Sequence, residues 1–244
     1  MTAPAVPAEP LLRVLHEGAD LLIVNKPAGL VCHPTKGDCY SSLIARARLH
    51  VGASASLHIV NRLDRETSGV TVLAKTVEAA GELGRMWERR SVEKEYLAIV
   101  HGNVAADSGT IDAPLGQDSA SPVAIKDCVR ADGVPAQTRF AVERRFAKDG
   151  REFTLLHLRP LTGRKHQLRL HLAHLGHPIV GDKIYGGDER LYLRLVRDEL
   201  TAEDRGRLLL PHQALHAAAL RFTWRGEPRA FRAEAELWFQ DFLR

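Results

Sequence analysis

Apolar residues recur along this chain with two periods, near two in some stretches and near 3.6 in others. Around residues 11–32, "LLRVLHEGADLLIVNKPAGLVC" holds two apolar runs separated by Gly18-Ala19-Asp20 and broken at Lys26-Pro27-Ala28-Gly29. That pattern predicts strand, turn, strand and loop, with order beginning near Leu11. "SSLIARARL" predicts a short helix capped by Ser41 or Ser42. Leu57, Ile59 and Val60 lead into "NRLDRETSG", and "VTVLAK" follows it, so a loop is expected between two apolar runs. Thr67, Ser68 and Gly69 read there as turn residues. "TVEAAGELGRMWERR" predicts a helix capped by Thr76, with Glu78 in its first turn and Arg85, Arg89 and Arg90 at its end. Val77, Ala80, Gly84 and Trp87 share one face of that helix.

Further on, "KEYLAIVHG" predicts a strand, and residues 103–135 predict hairpins and an exposed insertion, with "PVAIKDCV" a candidate strand. In "QTRFAVERRF", Thr138, Phe140, Val142 and Phe146 alternate with Arg139, Glu143 and Arg145, and "REFTLLHLRPL" is the natural partner strand. "TGRKHQLRLHLAHLG" predicts a helix closed by Gly176 with Pro178 beyond. Leu220, Phe222 and Trp224 alternate as a strand, and "AELWFQDFL" closes the chain helically. Strands and helices mix without strict alternation, which favours an α+β fold with a mixed sheet over a doubly wound parallel one. No repeat or low-complexity tract interrupts the pattern. The expectation is one domain over residues 11–244 after a flexible tail, residues 1–10.

Composition narrows the function classes. The 244 residues are 45% hydrophobic and 26% charged, enough apolar sequence for a large core. A net charge of +4 is compatible with nucleic acid without establishing it, so clustering of arginines matters more. The cysteines, Cys32, Cys39 and Cys128, are odd in number and form no Cys-x-x-Cys pair. They argue against a disulfide framework or zinc site and for a reducing compartment. The opening "MTAPAVPAEP" lacks the basic and apolar parts of a signal peptide. No apolar run approaches the roughly 18 residues of a membrane helix. A cytoplasmic protein away from membranes is expected.

Two stretches concentrate candidate chemistry. Asp64 stands between Arg62 and Arg65 at the end of an apolar run, and cationic neighbours favour an ionised carboxylate. On this window alone, a turn aspartate bonding local backbone is the favoured reading. In "GRKHQLRLHLAHLGH", Arg164, Lys165 and Arg169 gather positive charge that at helical spacing can reach phosphates or a carboxylate, or can form a solvated face. His166, His171, His174 and His177 drift around a helix with no His-Glu-x-x-His spacing, so metal is not expected. Tyr96 reads as a core aromatic, and Lys26 and Lys94 stay ambiguous. No phosphate loop, dinucleotide fingerprint or Gly-x-Ser-x-Gly elbow is present. Nor does a second acid stand out beside Asp64, since the place of Glu66 in space is open. An aspartate acting without these aids suits a nucleophile best.

Taken together, the stretches resemble the RluA-type family of pseudouridine synthases. "NRLDRETSG" is similar to the family's His-Arg-Leu-Asp-x-x-Thr-Ser-Gly, "NKPAGLVCHP" to its Lys-Pro-x-Gly loop, and "KEYLAIVHG" to the segment carrying its active-site tyrosine. "TGRKHQLRLHLAHLGHPIVGDKIYGG" and "HQALHAAALRF" resemble two later segments, in the same order. Asn61 departs from the family histidine, and a backbone or supporting role is expected of it. Many relatives carry a small N-terminal RNA-binding domain. Here about ten irregular residues precede the first strand, so that domain is expected to be absent and RNA selection to rest on the catalytic domain.

The resemblance implies a pseudouridine synthase fold, a mixed, mostly antiparallel sheet with flanking helices and a central active-site cleft. It implies isomerisation of specific uridines in structured RNA, ribosomal or transfer, without cofactor or metal. Asp64 would be the nucleophile, with attack on ribose or base left open. Tyr96 would pack against the flipped base, Arg169 would pair with Asp64, and Arg62 would enter the RNA stack as the base leaves. Arg65, Arg164 and Lys165 are the expected phosphate contacts, making binding salt dependent. A monomer is the default. The alternative of another class is a non-catalytic RNA-binding or ribosome-assembly factor on the same fold, and a base-removing RNA hydrolase is a further rival.

Overall fold

The computed structural model describes residues 11–34, 41–52 and 55–244. The expected tail, residues 1–10, and Cys39 lie outside the described residues. The elements run β1 (Arg13–Glu17), β2 (Leu21–Lys26), α1 (Leu43–Val51), β3 (His58–Ile59), β4 (Ser68–Ala74), α2 (Val77–Glu88), β5 (Glu93–His101), β6 (Ser108–Asp112), β7 (Leu115–Gln117) and β8 (Asp127–Val129). They continue with β9 (Gln137–Lys148), β10 (Arg151–Pro160), α3 (Gln167–His174), α4 (Arg190–Val196), α5 (Ala202–Leu208), β11 (Leu215–Trp224), β12 (Glu227–Arg232) and α6 (Leu237–Phe242).

A 10-stranded sheet runs β1-β2-β4-β11-β5-β10-β9-β6, with β3 added on β4 and β12 on β11, while β7 and β8 pair separately. The β4–β11 pairing is parallel, and the other pairings named in that order are antiparallel. The fold is therefore α+β with a mixed, mostly antiparallel sheet.

Burial explains the two kinds of strand. Every residue of β2 and β4 is buried. Leu21, Ile23, Val70 and Val72 join a core with Ala79 and Leu83 of α2, while Leu22, Val24 and Leu73 join another with Leu43, Ile44 and Ala47 of α1. Helices on both faces need continuous apolar runs, which these strands have. By contrast β9 alternates, with Thr138 and Phe140 buried and Arg139 exposed, so one of its faces meets solvent. Leu168 and Leu172 of α3 and Phe239 and Phe242 of α6 complete the core around β5 and β10.

Several local expectations change. Ser42 caps α1 as expected, its hydroxyl accepting from Ala45 N. Thr76 likewise caps α2, but the buried face of that helix is Ala79 and Leu83, and Val77 is 64% exposed. Leu83 and Met86 offer more apolar area to the sheet than Gly84 does, and Trp87 is left at the flank, edge-on to Phe222. The predicted insertion contributes β6 to the edge of the main sheet, and "PVAIKDCV" is a strand only over Asp127–Val129.

The helix expected from residue 162 begins at Gln167, after His166 in a left-handed conformation (φ 54). Buried Gln167 explains the delay. Its side chain accepts from Arg164 N and Thr162 Oγ1 and donates to Gln137 O and Thr138 Oγ1, holding residues 162–166 against β9. Arg164 and Lys165 therefore do not share a helix with Arg169.

Candidate active site

A cavity of about 570 Å³ opens where residues 60–67, β5 and residues 160–169 meet. Its walls include Arg62, Asp64, Arg65, Tyr96, Arg164, Lys165 and Arg169. The structure thus brings the sequence-nominated residues to one place. It also shows how each is held.

Backbone substitution by side chains fixes the loop carrying Asp64. β3 pairs with β4 only at Ala74 and Leu73. Beyond it, buried Asn61 takes over the ladder: Nδ2 donates to Val70 O at 3.1 Å and Oδ1 accepts from Val72 N at 2.7 Å. One N–H of the amide and its oxygen thus stand in for the donor and acceptor of a strand residue. From the other side, the fully buried Lys26 donates to Leu30 O at 2.8 Å, Pro27 O at 2.9 Å and Arg65 O at 3.1 Å. Burial pushes its amine down to about 8.

Thr67, Ser68 and Gly69, expected as turn residues, are buried, and Ser68 and Gly69 open β4. Gln213 Nε2 donates to Thr67 Oγ1 at 2.7 Å. His216 Nε2 faces Ala233 O, which only accepts, so Nδ1 is left to accept from Ser68 Oγ at 2.9 Å. Gly69 has φ +118, and a Cβ there would stand 2.2 Å from Ala217 O. Only glycine lets β4 meet β11 this closely. The parallel joint of the sheet is thereby built from the motif that follows Asp64.

Asp64 does not bond its local turn. Its Oδ2 accepts from Arg169 Nη1 at 2.9 Å, and its side chain is 30% exposed, on the cavity side. Partial burial raises its pKa, but Arg169, by charge and hydrogen bond, and His166 outweigh that and leave it below the usual carboxylate value. Arg169 is buried and makes a second, bidentate contact. Nε donates to Asp182 Oδ2 at 2.7 Å and Nη2 to Asp182 Oδ1 at 2.9 Å. Its guanidinium also lies over the Tyr185 ring, 5.1 Å from the centroid. Burial disfavours the cation, yet Asp182 and Asp64 hold it protonated.

Asp182 and its neighbours lie in a segment that resembles the family, but nothing in the sequence pairs Asp182 with Arg169. Asp182 Oδ1 accepts from Ile184 N at 2.9 Å and Tyr185 N at 3.0 Å, an aspartate-centred turn. The next residue, Lys183, pairs with Glu66 at 2.8 Å, so Glu66 turns away from Asp64. The "GDKIY" segment grips the Asp64 loop twice, through Arg169 and through Glu66.

Tyr96 lines the cavity, and its hydroxyl makes no hydrogen bond among the described residues. Burial, and then the charge of Asp64, raise its pKa far above that of a free phenol. The basic residues differ in freedom. Arg62 is exposed, whereas Arg65 Nε donates to Gly29 O, Arg164 Nε donates to Pro135 O, and Lys165 pairs with Asp127 at 2.9 Å. The four histidines diverge. His166 Nδ1 meets the Tyr185 hydroxyl, buried His171 bridges Thr138 Oγ1 and Ala113 O, and His177 reaches His101 O, while His174 stands on the exposed side of α3. Among the described residues, Cys32 and Cys128 are free thiols, and no helix is long and apolar enough to cross a membrane.

Comparison with known proteins fits this geometry. The family profile described as RNA pseudouridylate synthase matches residues 20–174. "Ribosomal large subunit pseudouridine synthase D" of Nitrosomonas europaea is 39% identical over 224 residues, covering 91% of this chain and 59% of that protein. The protein of the same name from Xanthomonas campestris pv. campestris is 40% identical over 221 residues, covering 89% and 63%. The chain thus spans about six-tenths of the length of these relatives. Among solved structures, Human RNA Pseudouridylate Synthase Domain Containing 1 superposes with a TM-score of 0.73 at 27% identity, covering 92% of this chain and 83% of that one. Human RNA Pseudouridylate Synthase Domain Containing 4 gives 0.72 at 28%, covering 95% and 91%. The chain belongs to the RNA pseudouridylate synthase family, within the RluA type that its motifs resemble.

Proposed function

We propose that this protein isomerises uridine to pseudouridine in structured RNA, with Asp64 as the nucleophile. The observation that carries the reading is the carboxylate of Asp64, held by Arg169 in the cavity that Tyr96 also lines. In the reaction the bond from ribose C1′ to uracil N1 breaks, the base turns, and C1′ bonds to C5. The C5 proton leaves and N1 gains one, so atoms and electrons balance without cofactor or metal. Asp64 attacks to release the base and departs when the new bond forms. Arg169 keeps the carboxylate ionised and oriented.

Tyr96 packs against the flipped base. Its phenol is held neutral, so it takes the C5 proton only by passing on its own. Flipping costs a few kcal/mol, and exposed Arg62, entering the vacated stack, offsets part of it. Arg65 and Arg164 contact phosphates; Lys165 does so only by leaving Asp127. Large-subunit ribosomal RNA is the first candidate substrate, from the names of the relatives, with transfer RNA second. On this reading residues 11–244 form a single catalytic domain that works as a monomer in the cytoplasm.

Mapping pseudouridine in ribosomal and transfer RNA from cells with and without the gene tests the proposal. A uridine in large-subunit RNA that loses modification on deletion and regains it with purified protein is the expected result. Unchanged maps in both RNA classes overturn it.

A further inference from the structure

Lys94 is the unexplained cation of the cavity. It lies two residues before Tyr96 on β5, so both side chains project from the same face of the sheet into the cavity. The carboxylates beside it in sequence face the other way. Glu95 binds Arg159 at 2.9 Å and also meets Arg221, and Glu93 lies 3.9 Å from Arg221. Across the ladder Lys94 registers with apolar Leu220. Its half-buried amine has no hydrogen bond or ion pair among the described residues. Burial, and then Arg90, lower its pKa, and Arg90 belongs to the turn that ends α2 beside the cavity-lining Trp87. Arg169, Lys165, Arg164 and Arg65 all have partners within the protein.

A half-buried cation without a counter-ion lowers stability. An anion brought by a ligand removes that penalty. We infer that Lys94 forms a subsite for a phosphodiester group of the RNA next to the nucleotide received by Tyr96. This inference rests on the RNA-modifying reading of the same cavity. It adds an anchor for the backbone while the base is out of the stack.

The test compares wild type with Lys94→Met, Lys94→Gln and Lys94→Arg on transcribed large-subunit ribosomal RNA. Dissociation constants are measured across a KCl series, together with melting temperatures and single-turnover conversion at saturating RNA. For Lys94→Met and Lys94→Gln, affinity at low salt falls on the order of tenfold. The log–log salt slope shrinks by roughly 0.7 to 0.9, the loss of one contact. Melting temperature stays at or above wild type, and Lys94→Arg keeps the slope. An unchanged slope in both neutral variants overturns the subsite, as does an affinity loss that only follows a drop in melting temperature. A loss of conversion at saturating RNA without a slope change assigns Lys94 to the base and also overturns it. If wild-type protein binds this RNA but converts no uridine, the catalytic reading falls, while the salt slope still decides the subsite.

Discussion

Arg169 gives two of its donors, Nε and Nη2, to Asp182 and one, Nη1, to Asp64. The division matters because a guanidinium free to rotate could bind Asp64 bidentately and draw it out of the cavity. Asp182 is thus a positioning residue for Asp64. In Asp182→Asn the remaining Oδ1 can still accept from Ile184 N, Tyr185 N and Arg169 Nη2, and the amide nitrogen meets Arg169 Nε as a second donor. Single-turnover rates should fall on the order of 10²-fold, with RNA affinity unchanged. Equal rates in the two proteins would remove Asp182 from the account.

Arg169 itself separates charge from geometry. Arg169→Lys retains a cation but cannot span both carboxylates, so activity should fall at saturating RNA while the protein still folds. Arg169→Met leaves Asp182 buried without its counter-ion, and about 3–5 kcal/mol of unfolding free energy should be lost in denaturant titration. If the lysine variant is fully active, the divided ion pair is not needed.

These relationships mark what was legible in the chain. The apolar runs of β2 and β4 and the alternation of β9 announce how many faces of each strand are covered, because burial sets the pattern directly. The buried face of α2 is not legible in its period, since Val77 and Trp87 share one with Ala80, while the packing partners that favour Ala79 and Leu83 come from β4 and β11. Residues 162–166 carry helix-compatible residues, and only the buried amide of Gln167 shows why they stay irregular. Asp182 and Lys183 sit in "GDKIYGG", within a segment from which only Arg164, Lys165 and Arg169 are singled out, and their partners lie 13 and 117 residues away. Lys94 is ambiguous in the sequence because its lack of a partner among the described residues is a property of the sheet face and of nothing local.

The pH response of Asp64 follows from its lowered pKa. The carboxylate is ionised through the neutral range, so activity should show no acid limb from Asp64 above about pH 5. Its contribution to stability is present above the ordinary value of 3.8 and is lost as pH falls through the lower folded value. The gap in unfolding free energy between wild type and Asp64→Asn should therefore close below pH 3.8. A gap that closes at higher pH would mean that Arg169 does not hold the charge.

Gly69 tests the sheet joint. With φ +118 and Ala217 O 2.2 Å from a would-be Cβ, Gly69→Ala forces β4 away from β11. Unfolding free energy should fall by more than about 2 kcal/mol. Activity should fall with it, because Asp64 lies just upstream of that strand. A variant as stable as wild type would show that the joint tolerates separation.

In the proposed reaction Asp64 breaks and remakes the bond to uracil. Asp64→Asn keeps the size of the side chain and one acceptor for Arg169 Nη1, so the fold and RNA binding should persist. Tritium release from RNA labelled at uridine C5 should then fall to background while wild type releases the label. Release near the wild-type rate from the folded variant would contradict the account.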